Sequence, residues 1–333
     1  MKQFFGVVVF LMGFTVCAQD VVFSQNFLVP ETLSSSFAGS NRGTKMGSLF
    51  RSQWRNATIK TNSKFAFVDT WFEKYNIGIG LKVLQQKESA SNYQFNQINF
   101  DYAVSYQLTR TWFFRPSVSV GWADKSYGFQ NLLFEDQVNF NNSTSGGATI
   151  DPLFLKDRRG YFDFSASLLF NNEDSWFGIT AKHVNTPNIS LAENGEVPLD
   201  IFWSAHGKYY LSFLENISSR FKRYHRVYAI SNFMLQGRFN KLDIGAQYVY
   251  YNQFSAGLTM STAPLDIADN SRLITSLSAF TGFKWKRFRF GYSYDVNTSD
   301  LIRTGGIHEF SVCYNFYVNI RSLARFKCGA VYK

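Results

Sequence analysis

Two neighbouring runs at residues 98–122 carry large apolar side chains at alternate positions over an unusual length. Ile98, Phe100, Tyr102, Val104, Tyr106 and Leu108 form the first run, and Trp112, Phe114, Val118, Val120 and Trp122 form the second. A period of two residues is that of a β-strand. Soluble strands average about five or six residues, whereas a strand that crosses a bilayer at a tilt needs about nine to eleven. The pattern therefore predicts a hairpin of membrane-spanning strands.

The amino-acid composition agrees with a transmembrane barrel. Aromatic residues make up 18% of the 333 residues, with 36 Phe and 18 Tyr, yet the mean hydropathy is only −0.17. A barrel produces this combination because only alternate residues face lipid and aromatic girdles mark both interfaces. No later segment approaches eighteen uninterrupted apolar residues, so helical spans are not expected.

The alternating runs predict an all-β fold, a closed antiparallel barrel of about fourteen strands, with an even number as bacterial barrels have. The predicted strands lie at 49–59, 63–72, 75–87, 92–109, 112–125, 161–172, 176–185, 201–211, 225–239, 241–251, 254–262, 271–283, 287–299 and 306–317. The longest gaps, 126–160 and 186–200, both fall on one side of the barrel, which is the outer side if the amino terminus is periplasmic.

Charged and polar residues on the other face of these strands are predicted to face the lumen. They are Asp101, Arg115, Lys182, His206, Lys208, Arg238, Asp243, Gln247, Arg289, Asp295 and Glu309. In a dry core so many charges would cost several kcal/mol each, so a wet or plugged lumen is expected. Pro116 conflicts with a central strand, because it lacks a backbone donor, and predicts a bulge or a misplaced strand.

The start of the chain indicates export. Residues 1–18 have the basic start, short apolar stretch and small-residue end of a secretory signal peptide. Lipidation of Cys17 is disfavoured because Val16 precedes it. We expect residues 19–48 to form a plug or lead-in segment, 49–317 the outer-membrane barrel and 318–333 a periplasmic tail.

Several short motifs resemble those of the PorP/SprF family, outer-membrane proteins of type IX secretion and gliding. Phe23, Ser24 and Gln25 match an FSQ-like triplet, and Phe37, Ala38 and Gly39 match the end of a second motif whose Asn-Pro lead is replaced here by serines. The other matches are Arg51, Gln53 and Trp54 in the first strand and His308, Glu309 and Phe316 in the last.

The resemblance implies an accessory barrel that supports export and cell-surface anchoring of a large adhesin with a type-B C-terminal sorting domain. It also implies partners among the periplasmic lipoprotein ring components of secretion and gliding. The physics of a barrel with a plug is equally compatible with a general porin or small-molecule uptake channel. Both functions remain open at this point.

The sequence shows no catalytic constellation, and the four histidines lack paired ligand spacing, so we expect no enzyme, metal or cofactor. A Cys313–Cys328 disulfide remains open. The net charge of +10 is dispersed, which favours contact with lipid headgroups or acidic partners over nucleic acid. The densest basic cluster contains Arg220, Lys222, Arg223 and Arg226, and it is either an interfacial belt or a periplasmic docking site.

Overall fold

The computed structural model describes residues 20–57, 59–128, 138–139, 144–145, 157–192, 194–212, 224–265, 274–298 and 305–316. Within these residues, fourteen antiparallel strands form one closed barrel in which each strand pairs with its neighbours in the chain. The last strand pairs with the first and closes the barrel. None of the helices in these ranges is long and apolar enough to cross a membrane. The predicted all-β barrel is confirmed.

The strands, numbered in chain order, are β1 Lys45–Gln53, β2 Thr61–Phe72, β3 Ile77–Glu88, β4 Gln94–Val104, β5 Phe113–Ser126, β6 Arg158–Asn171, β7 Trp176–Lys182, β8 Phe202–Tyr210, β9 His225–Gln236, β10 Phe239–Tyr250, β11 Phe254–Thr262, β12 Ser276–Trp285, β13 Phe288–Asn297 and β14 Ile307–Asn315. A short segment, Tyr106–Gln107, also pairs with β5. Val138–Asn139 pairs with Thr144–Ser145 in a separate two-stranded sheet.

Each predicted strand corresponds to one of these fourteen, and the differences lie at their ends. β1 begins at Lys45, inside the predicted lead-in segment, and ends at Gln53 because Trp54 has a left-handed backbone with φ 61°. β9 ends at Gln236, where Gly237, with φ 54°, begins a turn. The predicted signal peptide, the predicted tail and Cys328 lie outside the described residues, as does the first part of the predicted strand 271–283.

Pro116 lies within β5, and the expected bulge or misplaced strand is wrong. Pro116 pairs with Leu168 of β6 in an uninterrupted register. On the other side of β5 the ladder with β4 stops at Ala103–Ser117 and resumes at Tyr106–Phe114 in the same register. The gap lies where Val104 and Ser105 stand opposite Pro116 and Arg115. On the other side of β4 the N–H of Ser105 donates to the carbonyl of Asn76 and continues the register with β3. The absence of a backbone N–H at Pro116 is therefore accommodated by an interruption of the β4–β5 hydrogen-bond ladder and not by a bulge with an extra residue.

The strands alternate between an outward apolar face and an inward polar face. On β6, Phe162 is 60% exposed on the outside, while Asp163 beside it in the chain is buried inside. Aromatic rings pack against one another on the outer surface, for example Trp122 against Phe162 at 4.8 Å between ring centres. This outer face is suited to lipid, because the exposed side chains need no hydrogen-bond partner there.

The two ends of the barrel differ in their connections. One end, the short-turn end, has tight connections such as 172–175, 251–253 and 286–287. The opposite end, the long-connection end, has the connections 127–157 and 183–201. Barrels of the outer membrane have short periplasmic turns and longer extracellular loops. The short-turn end is therefore assigned to the periplasm.

Residues 20–44, named the plug segment, lie inside the barrel. Three 3₁₀ turns, Ser24–Phe27, Pro30–Thr32 and Ser35–Phe37, shape the segment, and Pro30 starts the second turn, where its missing N–H is not needed. Phe37 is 0% exposed and packs edge-on against Trp176 at 5.1 Å. The segment starts beside the long-connection end and leaves at the short-turn end to become β1. It provides much of the apolar core that a barrel interior otherwise lacks.

Candidate functional site: the anchorage of the plug segment

The carboxylate of Glu309 holds the plug segment near its start. β14 places this side chain in the interior, where it is 0% exposed. The backbone N–H of Ser24 donates to Oε1 at 2.9 Å, and the N–H of Gln25 donates to Oε2 at 2.9 Å. The Gln25 side chain donates to the Glu309 carbonyl at 2.8 Å. The Glu309 carboxylate therefore accepts hydrogen bonds from the N–H groups at the start of the first 3₁₀ turn, which have no acceptor within the turn itself.

Arg51 of β1 balances the charge of this carboxylate. Its guanidinium forms an ion pair with Glu309 and lies 3.8 Å from Asp295 of β13. It also donates to the Ser24 hydroxyl at 3.3 Å and to the Gln53 side chain at 3.3 Å. Ser24 in turn donates to Asp295. A buried carboxylate is tolerated when it is paired and hydrogen-bonded in this way, whereas an unpaired one is very costly.

This cluster joins three of the motifs that carry the sequence resemblance. Ser24 and Gln25 come from the first, Arg51 and Gln53 from the second, and Glu309 from the last. The motifs lie as much as 286 residues apart, as in the hydrogen bond of Ser311 to Gln25 at 2.5 Å. Together, these three motifs attach the plug segment to β1 and β14, the two strands that close the barrel.

A second anchorage holds the other end of the plug segment at Ala38 and Gly39. Arg115 donates to the carbonyl of Ser36 at 3.0 Å and to that of Ala38 at 2.6 Å. The N–H of Gly39 donates to Asp69 at 2.8 Å. Gly39 has φ 65°, which a residue with a side chain adopts at a cost. The left-handed backbone conformation at this position therefore explains why the motif has a glycine there.

Nearby, the serines that replace the family's Asn-Pro lead form a hydroxyl cluster. Ser35 and Ser36 contact the Ser117 hydroxyl at 2.7 and 2.8 Å, and Ser35 also donates to Ser167 at 3.3 Å. The departure from the family motif therefore coincides with partners on β5 and β6 that suit serine.

A third anchorage holds Asp20 at the long-connection end. His183 lies between two carboxylates, 2.8 Å from Asp163 and 2.8 Å from Asp20. Burial alone would lower the pKa of His183, but Asp20 and Asp163 outweigh this and raise it to about 9. Burial would likewise raise the pKa of Asp20, but His183 and Lys182 hold it below its usual range. The pair is therefore charged near neutral pH.

Most of the residues predicted to face the lumen lie in the interior. Asp101, Arg115, His206, Asp243, Gln247, Asp295 and Glu309 are buried, and Lys182, Lys208 and Arg289 are half-buried. Asp101 forms an ion pair with Lys82 at 2.6 Å, and Asp243 forms one with Lys241 at 3.0 Å. Arg238 is a correction: it is exposed in the turn after β9, because the two-residue alternation ends at Gly237.

The remaining motif residues have other positions. Phe23 is buried against Phe65, with ring centres 5.9 Å apart. His308 and Phe316 are on the outer side, where His308 contacts the Tyr292 hydroxyl at 3.0 Å. Trp54 follows β1 at the long-connection end. Of the basic cluster, Arg226 pairs with Asp174 at 2.6 Å, while Arg220, Lys222 and Arg223 lie outside the described residues.

Sequence reasoning missed several interior charged residues, on the plug segment itself and on the strands and connections around it. These are Asp20, Glu31, Lys45, Asp69, Lys82, Asp163 and His183. Asp69, Lys82 and Asp163 occupy the inward parity of their strands, and that parity was a usable signal. In the described ranges, no three or more His, Cys, Asp or Glu side chains come together as metal ligands.

Comparison with known families identifies the chain. A model of the type IX secretion system membrane protein PorP/SprF matches residues 16–314. The chain belongs to the PorP/SprF family. The family match includes the plug segment as well as the strands. The protein is therefore an outer-membrane component of the type IX secretion system, and the family is not a known enzyme class.

Solved structures of low similarity include several outer-membrane proteins. Omp33 of Acinetobacter baumannii is 5% identical, with 84% of this chain and 100% of that chain covered and a TM-score of 0.45. The monoaromatic hydrocarbon channel CymD is 13% identical, with 89% and 94% covered and a TM-score of 0.46. The toluene transporter TodX of P. putida is 11% identical, with 85% and 92% covered and a TM-score of 0.45. No curated protein matches the PorP/SprF chain described here.

Proposed function

We propose that this PorP/SprF protein is an accessory barrel that supports export and cell-surface anchoring of a large adhesin with a type-B C-terminal sorting domain. The observation that carries the proposal is the cluster around Glu309. Residues of the shared motifs hold a polypeptide segment inside the barrel and leave the lumen occupied by the protein's own chain. A barrel organised in this way is suited to binding partners at its ends more than to conducting solutes.

The charge at the short-turn end supports periplasmic partners. Arg226 lies there, and Arg220, Lys222 and Arg223 precede it in the chain. Surface contacts between such cations and an acidic partner contribute up to about 1 kcal/mol each and weaken with salt. The periplasmic lipoprotein ring components of secretion and gliding are the partners that family membership suggests.

The test is deletion of the gene followed by measurement of cell-surface proteins. We expect surface display of one adhesin with a type-B domain to be lost and most other secreted proteins to remain, with recovery when the wild-type gene is restored. Loss of all secretion would contradict an adhesin-specific role. In parallel, liposomes with the purified barrel should swell slowly in sugars, and fast swelling would favour the channel function.

A further inference from the structure

The outward-facing cations of the strands are concentrated on one wall of the barrel, near the long-connection end. Among the lysines and arginines of the described strands, Lys64 of β2, Lys87 of β3 and Arg158 of β6 have the outward parity, and the others point inward. Arg158 pairs with Asp124 at 2.7 Å. Lys64 and Lys87 have no carboxylate or hydrogen-bond partner in the described part of the chain. The uncompensated charge of this outer wall therefore lies on the β2–β3 hairpin.

Lys60 extends this group beyond the start of β2. The N–H of Ser89 donates to the carbonyl of Lys60 at 3.0 Å, which continues the β2–β3 register one pair past Thr61 and Glu88. Lys60 therefore shares the outward parity of Lys64, and both side chains are exposed. We name Lys60, Lys64 and Lys87 the outer lysine cluster.

The three lysines of this cluster surround Asn62. Lys87 lies directly opposite Asn62, so Lys60 and Lys64, two residues to either side of Asn62, both occupy positions diagonal to Lys87. Diagonal neighbours on one face of a sheet are about 7–8 Å apart, within reach of long side chains. Because each lysine has a flexible stem, the three ammonium groups can converge on one anion in front of Asn62. The exposed amide of Asn62 adds a further donor.

An apolar, lipid-facing surface begins next to the outer lysine cluster. Along β3 the outward residues that follow Lys87 towards the middle of the barrel are Gln85, Val83 and Leu81, and the two apolar ones are exposed. Val68 is likewise exposed on the outward face of β2. Apolar residues on this face contact acyl chains. The cluster therefore lies where the apolar band ends on the extracellular side, at the level of the lipid headgroups of the outer leaflet.

We propose that the outer lysine cluster binds a phosphate monoester on the headgroup of an outer-leaflet glycolipid, whose acyl chains lie against Val83 and Leu81. A phosphate monoester carries about two negative charges and three acceptor oxygens near neutral pH, which suits three converging ammonium groups. Basic clusters beside a membrane-embedded surface recognise anionic lipid headgroups. A lipid is favoured over an acidic protein because the cluster adjoins the lipid-facing wall directly. This inference is independent of the proposed function.

The experiment uses the full-length purified barrel in detergent and a fluorescent glycolipid probe, diphosphoryl lipid A. A matched probe lacks the phosphates and keeps the same acyl chains. We expect fluorescence anisotropy to show saturable binding of the phosphorylated lipid that weakens with salt, and binding of the dephosphorylated lipid that is weaker by on the order of tenfold. Equal binding of both lipids would overturn the proposal.

Variants locate the site. Lys87→Gln should weaken binding of the phosphorylated lipid by about fivefold, and Lys87→Arg should retain most of it. Replacement of all three lysines by Gln should make the barrel bind both lipids equally. Lys74→Gln, in the turn at the opposite end of the same hairpin, is the matched control and should bind as the wild type does. Each variant is first checked for the heat-dependent gel shift of a folded barrel. Wild-type affinity in the folded triple variant would overturn the assignment.

A competition experiment separates a lipid from other anions. Inorganic phosphate and polyglutamate, each in about tenfold excess over the lipid and at constant ionic strength, should not displace the phosphorylated lipid. Displacement by inorganic phosphate would show a site for a soluble anion, and displacement by polyglutamate would show a surface for an acidic protein. Either result would overturn the lipid assignment. Because no secretion component is present, these results do not depend on adhesin display in cells.

Discussion

Gly78 of β3 lies directly against the carbonyl oxygen of Ala38 in the plug segment, and a Cβ at Gly78 would come within 1.9 Å of that oxygen. Since the obstructing atom belongs to the backbone, the plug segment itself must move if this space is filled. Gly78→Ala should therefore lower the free energy of unfolding of the barrel by about 1–3 kcal/mol. The measurement is the unfolding temperature, read from the heat-dependent shift in gel mobility of the folded barrel.

The matched control for this change is Gly207→Ala in β8. A Cβ there would lie 3.4 Å from its nearest atom, the carbonyl oxygen of Trp176, which is an ordinary contact. We expect near wild-type behaviour for the control and increased protease cleavage within residues 20–44 for Gly78→Ala. Equal unfolding temperatures of the two variants would contradict the close contact.

The ion pair between Arg51 and Glu309 should be strongly coupled in a double-mutant cycle. Glu309→Gln keeps the shape but removes the charge, so Arg51 is left with Asp295 at 3.8 Å as its carboxylate partner. Breaking a buried pair costs about 3–5 kcal/mol, and removing both charges costs less than the sum of the single changes. The measurement is the unfolding temperature of the two single variants and the double variant. Glu73→Gln, exposed in a turn, is the control, and additive effects would exclude coupling.

The contact between His183 and Asp20 should be pH-dependent. The stabilisation from His183 is fully present below its unfolded pKa of 6.5 and is lost as the pH rises through about 9. That from Asp20 is present above 3.8 and is lost only as the pH falls through its lowered pKa. His183→Gln should therefore lower the unfolding temperature at about pH 6 and much less at about pH 10. A difference that is the same at both values would refute the charged pair.

The basic residues Arg220, Lys222 and Arg223 can be tested without disturbing Arg226, which already pairs with Asp174. Replacement of all three by Gln should leave the amount of barrel in the outer membrane unchanged and reduce co-purification of periplasmic secretion or motility components. Reduced membrane abundance would instead indicate an interfacial belt. No change in either quantity would remove any special role for these residues.

The strands were predictable because each crossing repeats the same two-residue alternation. Asp101 and Asp295 could be assigned to the interior from parity alone. The same rule failed at Arg238, because parity does not continue through a turn that begins with a left-handed glycine. It also missed the start of β1, where Lys45 faces inward and pairs with Glu31 of the plug segment at 2.7 Å.

The anchorage of the plug segment was not predictable from local patterns. Glu309 could be placed on an inward face, and Ser24 and Gln25 could be recognised as a motif, but their contact spans 285 residues and depends on the path of an irregular segment. Likewise, His183 follows the end of β7, so neither its parity nor its spacing indicated a position between Asp20 and Asp163.

Glu309 lies on the last strand and Arg51 on the first, so the two meet only when the cylinder closes on itself. Ser24 contacts both, which means that the plug segment spans the joint between the two ends of the sheet. Bringing such distant parts of a chain together carries a large entropic cost, which falls on the final stage of assembly. The contacts of Ser24 and Arg51 with Glu309 therefore form only after the last strand has joined the first, and their presence marks the closed barrel.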